Sequence, residues 1–150
     1  MQKNKVAGAL SIAMALLIAS CGERGERKSE MTSILTIGEV NSVMDNSGDS
    51  LVAFDMYADW CGPCRILAPT LEKVAAATKG KVAFYRINLD QVPEAGQTFG
   101  VGGIPFVVFV KNKKVVATFT GVQPEESYLR AIQRFSGHEE ASTPPGAQKM

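Results

Sequence analysis

Metal-binding and proton-shuttling side chains are what this sequence has least of: one histidine, His138, and three cysteines, Cys21, Cys61 and Cys64. A zinc site takes four ligands, commonly two cysteine pairs or one pair with histidines. Here there is one close pair, and the histidine stands far from it, so no metal centre is expected. Charge of one sign is scarce as well: the net charge is +1, with acidic and basic residues interspersed. A nucleic-acid surface would show a basic patch or stripe, and none is present. Long apolar runs are also missing. Val6 to Ala19 is the most extended, and it falls short of the about 20 residues a membrane span requires. The sequence shows no internal repeat, and its length suits one domain of about 100 residues with a single core.

The cysteines that are present stand where chemistry is possible. Cys61 and Cys64 sit in Trp60-Cys61-Gly62-Pro63-Cys64, directly after the apolar run Leu51 to Tyr57. Such a run reads as a strand covered on both faces. A strand feeding a helix puts Cys61 at the helix N-terminus, where free N–H groups and the helix dipole favour an anion. Thiolates, not thiols, attack disulfides, so this placement activates Cys61 at neutral pH. Cys64 follows one helical turn on, close enough to close a small disulfide ring. Closing so short a loop removes little chain entropy, which argues against a purely structural bridge. The pair therefore reads as reactive. Cys61, expected to be the more exposed thiol, attacks a target disulfide, and Cys64 resolves the mixed disulfide. Gly62 and Pro63 shape the turn between them.

Around the motif the pattern alternates between helix and strand. Thr36-Ile37-Gly38-Glu39 is a capping box. The helix it opens turns Val40, Val43 and Met44 inward and stops near Asn46-Ser47-Gly48. After the motif, Leu67, Leu71, Val74 and Ala75 recur at helical spacing, with Pro69 inside, where a kink is expected. Lys81 to Leu89 reads as a strand and Pro93 to Thr98 as a short helix. Phe106 to Val110 and Val115 to Thr120 are apolar runs joined by Lys111-Asn112-Lys113-Lys114, a hairpin by pattern. A last helix starts near Pro124, which suits a first-turn position. Glu125 and Glu126 open it and Arg130 and Arg134 follow, the charge order its dipole favours. The sum is an α/β sandwich.

From about Ile34 to Phe135 the chain resembles the thioredoxin family. The residues in register are the Cys61–Cys64 motif, Asp55 in the strand before it, Pro69 after it, Gly103-Ile104-Pro105 at the family's cis-proline loop, and Gly121 after the last strand. The resemblance implies a thioredoxin fold over residues 34–136, a central mixed five-stranded sheet with helices on both faces. It implies that Asp55 is a buried carboxyl with a raised pKa that exchanges a proton with Cys64. Read from the residues alone, an Asp55 turned outward at a strand end stays open. Gly103, Ile104 and Pro105 are expected to lie at the substrate, with Pro105 facing the sulfurs and the backbone before it pairing with an extended target. Trp60, Pro63, Ile104 and Val122 are expected to rim the thiols. Arg86 stands where many members carry lysine; it keeps its proton and is expected to act only as a fixed charge. Lys113 stands where glycine is common. No external cofactor is expected, because the Cys61–Cys64 disulfide is itself the redox group.

The ends carry a different message. Residues 1–20 read as a lipoprotein signal peptide: Lys3 and Lys5 lead into the apolar run, and Ile18-Ala19-Ser20-Cys21 resembles a bacterial lipobox. Cys21 would carry the lipid, which leaves Cys61 and Cys64 as a clean pair. The other reading is an uncleaved anchor with an incidental cysteine. Residues 21–33, charged and glycine-containing, read as the lipidated N-terminus and a flexible tether. Residues 137–150, with His138 and Pro144-Pro145, read as a disordered tail. The expected location is a bacterial membrane facing the periplasm. Gly22 lacks the aspartate that commonly retains lipoproteins in the inner membrane, so the outer membrane is favoured.

The leading expectation is a protein-disulfide reductase, a thiol–disulfide oxidoreductase acting on exported proteins. Gly62-Pro63 is the dipeptide of the reducing members. An oxidising compartment holds such a pair as a disulfide unless electrons arrive, so a membrane electron donor is implied. The alternatives are an extracytoplasmic thiol oxidant or isomerase, or a non-catalytic thioredoxin-fold binding module. No nucleic-acid partner is expected.

Overall fold

A computed structural model describes residues 29–137. The elements are β1 (Met31–Ile34), α1 (Ile37–Asn46), β2 (Leu51–Tyr57), α2 (Gly62–Ala77), β3 (Val82–Asn88), α3 (Pro93–Phe99), β4 (Phe106–Lys111), β5 (Lys114–Thr120) and α4 (Glu125–Ser136). The five strands form one mixed sheet in the order β1-β3-β2-β4-β5. β1 and β2 run parallel to β3, whereas β4 runs antiparallel to β2, and β5 to β4. Parallel neighbours need a crossover, which α1 and α2 supply, while β4 and β5 are joined by a tight turn.

Local chemistry sets these boundaries. The Thr36 hydroxyl accepts the Glu39 N–H at 3.2 Å, and the Glu39 carboxylate accepts the Thr36 N–H at 3.1 Å. This is the capping box that starts α1. α2 continues through Pro69 to Ala77. The turn between β4 and β5 holds Asn112 and Lys113 at φ 52° and 62°, the left-handed pair that two-residue hairpins demand. Pro124 is the N-cap of α4, one position before its first turn.

Two apolar cores lie on opposite faces of the sheet, divided by the alternation of the strands. Leu51 and Ala53 face the core beneath α2 and α4, while Val52, Phe54 and Met56 face the core beneath α1 and α3. Ala53 lies between Phe84 of β3 and Phe109 of β4 in register. Its small side chain lets those rings meet edge-on at 6.2 Å. Phe109 continues to Phe119 at 6.0 Å, and Phe119 to Tyr128 at 4.9 Å. Each such ring contact adds about 0.5–1.5 kcal/mol beyond its buried area.

One boundary moves. The sequence reads a tether through Ser33, but Met31–Ser33 belong to β1, with Met31 and Ile34 buried and Thr32 and Ser33 exposed. Pairing with Phe84 to Ile87 of β3 makes this strand; four residues carry too little alternation to announce it. Just before it, the Ser29 hydroxyl and the Glu30 N–H both donate to the Glu72 carboxylate of α2. The proposed signal peptide, Cys21, most of the tether, His138 and the rest of the tail lie outside the described residues. Among those described, no helix is long and apolar enough to cross a membrane.

Candidate active site

The Cys61–Cys64 pair stands at the carboxyl end of β2, the end of the parallel strands where α/β sheets place their ligands. Because β4 is antiparallel, with Phe106 opposite Met56, the Val101–Pro105 segment arrives at the same end. Cys61 is the N-cap of α2, and Gly62 and Pro63 form its first turn. A proline there forfeits no hydrogen bond, since the first N–H groups of a helix have no intrahelical partner. Cys61 and Cys64 form a disulfide with Cα atoms 5.3 Å apart. The Cys64 N–H donates to Cys61 Sγ at 3.2 Å. When the disulfide is reduced, that N–H and the helix dipole favour negative charge on the Cys61 sulfur.

Exposure does not separate the two cysteines. Cys61 is 3% and Cys64 4% exposed, so the expectation that Cys61 is the more open thiol fails for the disulfide form. In the disulfide form both cysteines cluster with Ala58, with Tyr57 and Ile104 packed alongside. What distinguishes Cys61 is its cap position.

Of the expected rim residues, Ile104 packs against the cysteines. The Ile104–Pro105 peptide is cis, and the Pro105 carbonyl accepts the Gly121 N–H at 2.8 Å. That bond ties the loop before β4 to the loop after β5, and with it Val122. Gly121 has φ 77°, a conformation only glycine adopts without steric cost. Ile104 is half-buried, whereas Pro63 and Gly103 are exposed. Trp60 is 71% and Val122 47% exposed. Trp60 is therefore not part of the core. A concavity of about 460 Å³, lined by Asp49, Lys81 and Lys111, lies at the other end of β2.

Several residues of the site escaped the sequence. The Trp60 Nε1–H donates to Asp90 at 3.0 Å. Asn88 donates to the Asp59 carboxylate at 3.2 Å and accepts the Asp90 N–H at 2.9 Å. Arg65 donates to the Asp59 carbonyl at 2.7 Å. Together these bonds hold the loop before α2 against the loop after β3. The available signal was Asn88-Leu89-Asp90 directly after an apolar strand, residue types that bond to nearby backbone.

Asp55 is turned inward, which settles the alternative of an outward carboxyl. It is 2% exposed, and Arg86 Nε donates to its Oδ2 at 3.0 Å. Burial pushes this carboxyl above its ordinary 3.8; the charge and hydrogen bond of Arg86 pull the other way without cancelling the rise. The Arg86 guanidinium lies over the Tyr57 ring at 4.1 Å, which fixes the charge in place. Tyr57 and Tyr128 were both missed. Tyr128 is fully buried, in the core on the face toward which Asp55 points, and its spacing to Ala131 and Ile132 was the helical signal available. Its hydroxyl has no hydrogen-bond partner among the described residues. Burial and then the Asp55 charge push the phenol up to about 12, while the Gln123 backbone nearby pulls it down. No group of three or more potential metal ligands occurs among the described residues.

Comparison with known proteins points to one family. The family model described as Thioredoxin matches residues 33–134. The thioredoxin of Haemophilus influenzae is 38% identical over 106 residues, covering 69% of this chain and 98% of the relative. That of Alicyclobacillus acidocaldarius is 38% identical over 92 residues, covering 61% of this chain and 88% of the relative. The solved Fasciola hepatica thioredoxin is 31% identical with a TM-score of 0.65, covering 70% of this chain and 99% of that one.

Proposed function

This chain belongs to the thioredoxin family and is a thiol–disulfide oxidoreductase; from that premise, we propose that it reduces or reshuffles disulfides of exported proteins while anchored by a lipid on Cys21. The observation that carries the chemistry is Cys61 capping α2 with Cys64 one turn behind it. In the reduced protein the Cys61 thiolate attacks one sulfur of a target disulfide, forms a mixed disulfide and releases the first target thiolate. The Cys64 thiol gives its proton to the Asp55 carboxylate and attacks the Cys61 sulfur. The second target thiolate leaves and is protonated, and the Cys61–Cys64 disulfide has formed. The same steps in reverse oxidise a dithiol.

Trp60, Pro63, Ile104 and Val122 receive the target's apolar side chains around the sulfurs. The backbone at Gly103–Ile104 takes an extended target segment as an added strand. Arg86, held over Tyr57, is a fixed counter-charge for Asp55 rather than a proton carrier. The export reading is supported by Lys3, Lys5, the run Val6 to Ala19 and the sequence Ile18-Ala19-Ser20-Cys21. A membrane electron donor follows from that location, since an oxidising compartment would otherwise keep the pair closed. Gly22 after Cys21 supports the outer membrane.

The reduction potential of the protein lacking residues 1–21, equilibrated with glutathione and read from Trp60 fluorescence, tests the direction. Reference values are about −270 mV for reducing thioredoxins and about −120 mV for the periplasmic oxidant. A value near the first supports a reductase. A value near the second makes the chain an oxidant or isomerase. The anchor has its own test: Cys21→Ser moves the protein from the membrane fraction to the soluble one, and unchanged membrane retention overturns the lipid assignment.

A further inference from the structure

We propose that the lysine-rich end of the domain, opposite the thiols, docks on the anionic surface of the membrane that carries the anchor, so that Cys61 and Cys64 face away from that membrane. The proposal rests on the membrane location proposed above and names the face of the domain that meets the lipid headgroups.

The topology gathers cations that the sequence scatters. β1, β2, β3 and β5 run toward the end that holds the thiols, and β4 runs back from it. Residues that lead into a forward strand, or follow β4, therefore lie at the far end. Lys79 and Lys81 stand between α2 and β3, and Lys111, Lys113 and Lys114 surround the turn between β4 and β5. The last turn of α4, with Arg134, arrives there too, because Lys111 Nζ donates to the Phe135 and Gly137 carbonyls at 2.9 and 3.1 Å. Lys73 lies on the half of α2 that runs toward this end, and the described residues hold no other lysine. Lys79 pairs with Glu30 at 3.0 Å and Lys113 with Asp45 at 2.8 Å, yet their side chains stay 75% and 61% exposed. Lys81 and Lys114 are exposed as well. Glu30, Asp45, Asp49 and Glu72 are the carboxylates of this end, so its cations outnumber them seven to four.

The thiol end has the opposite sign. Asp59, Asp90, Glu94, Glu125 and Glu126 all follow strands that run toward it, with Arg65 an exposed cation among them. An anionic surface attracts one end of the domain and repels the other. Each Lys or Arg near an anionic leaflet strengthens association about fivefold. The chain also enters the domain at the lysine end. The Ser29 hydroxyl and the Glu30 N–H donate to the Glu72 carboxylate, and Glu30 pairs with Lys79, which fastens the entering segment beside the lysines. Cys21 stands eight residues before Ser29, at most about 29 Å away when fully extended. The seven residues of β2, about 23 Å in length, separate the lysines from the thiols. An anchor of that reach brings the lysine end to the headgroups first, and this selects a membrane over another polyanion.

The 106 residues matched to the Haemophilus influenzae thioredoxin span 98% of that relative, so the chain without residues 1–21 retains a whole domain. The test holds this domain, with a hexahistidine in place of Cys21, on nickel-chelating lipids in vesicles. The vesicles are phosphatidylcholine alone or with about a third phosphatidylglycerol. Trp60, the one tryptophan of the chain, reports energy transfer to a dansyl headgroup, and mass spectrometry follows acetylation of Lys81 and Lys114. Phosphatidylglycerol is expected to slow both acetylations about tenfold and to lower the Trp60 transfer, and high salt to reverse both changes. Lys81→Glu combined with Lys114→Glu, both at exposed positions, abolishes the change in Trp60 transfer while the melting curve stays cooperative. Equal acetylation and equal transfer in the two vesicles overturn the docking surface. A rise in Trp60 transfer overturns it too, since the thiol end then meets the membrane. Binding to a DNA duplex without any response to phosphatidylglycerol makes the lysines a nucleic-acid site and overturns it equally. Because hexahistidine supplies the anchor, membrane retention of Cys21→Ser overturns the lipid assignment and leaves this result standing.

Discussion

The two faces of the central strand differ by one charge, and the difference divides stability from chemistry. On the α1/α3 face, β2 offers Val52, Phe54 and Met56, and the core there is wholly apolar. On the α2/α4 face it offers Leu51, Ala53 and then Asp55, paired with Arg86. Burying a carboxyl is unfavourable, and Arg86 does not cancel the cost, because the net push on Asp55 is upward. An apolar residue there would hold the sheet better. Both faces hold the fold through apolar cores; the face beneath α2 and α4 also carries a buried carboxyl, whose proposed role is to accept a proton.

Substitutions separate the two roles. Cys64→Ser has the largest effect: turnover is lost and the mixed disulfide accumulates, visible as a covalent adduct on a non-reducing gel. On the other face, Phe54→Ala costs about 3–5 kcal/mol of stability in denaturant titration, since the side chain is fully buried among Tyr85 and Phe99. The rate per folded molecule stays unchanged. If both substitutions damaged stability and rate alike, the division between faces would be wrong.

Asp55→Asn sharpens the contrast through pH. The Asp55 pKa is raised in the folded state above its ordinary 3.8, so the folded protein holds this proton where the unfolded chain has lost it. The stability this contributes is fully present below about pH 3.8 and is lost as pH rises through the folded titration. The loss is about 1.4 kcal/mol for each pH unit between the two values. Asp55→Asn lacks that slope in denaturant melts collected across this range. The smallest effect lies outside both faces. Lys113→Gly at φ 62° gains about 1 kcal/mol in the same assay. The exposed Lys113–Asp45 pair it removes is expected to offset little of that.

What the sequence disclosed tracks the range of the cause. The capping box at Thr36, the strand from Leu51, the hairpin at Asn112 and the helix-capping Cys61 are local, each announced by neighbours in the chain. β1 was hidden because Met31-Thr32-Ser33-Ile34 becomes a strand only by pairing with β3. Resemblance placed Asp55 behind the thiols, but the Arg86–Tyr57 stack and the position of Tyr128 depend on register between distant strands. The equal burial of Cys61 and Cys64 depends on packing around Ala58, Tyr57 and Ile104, which their spacing does not specify.

The most direct test is the rate at which Asp55→Asn reduces a protein disulfide at neutral pH, against the wild type, where both are folded. A slower rate in a variant that is no less stable is predicted, because the carboxyl serves the proton and not the fold. An unchanged rate would contradict the account and leave Asp55 a buried charge without a catalytic role.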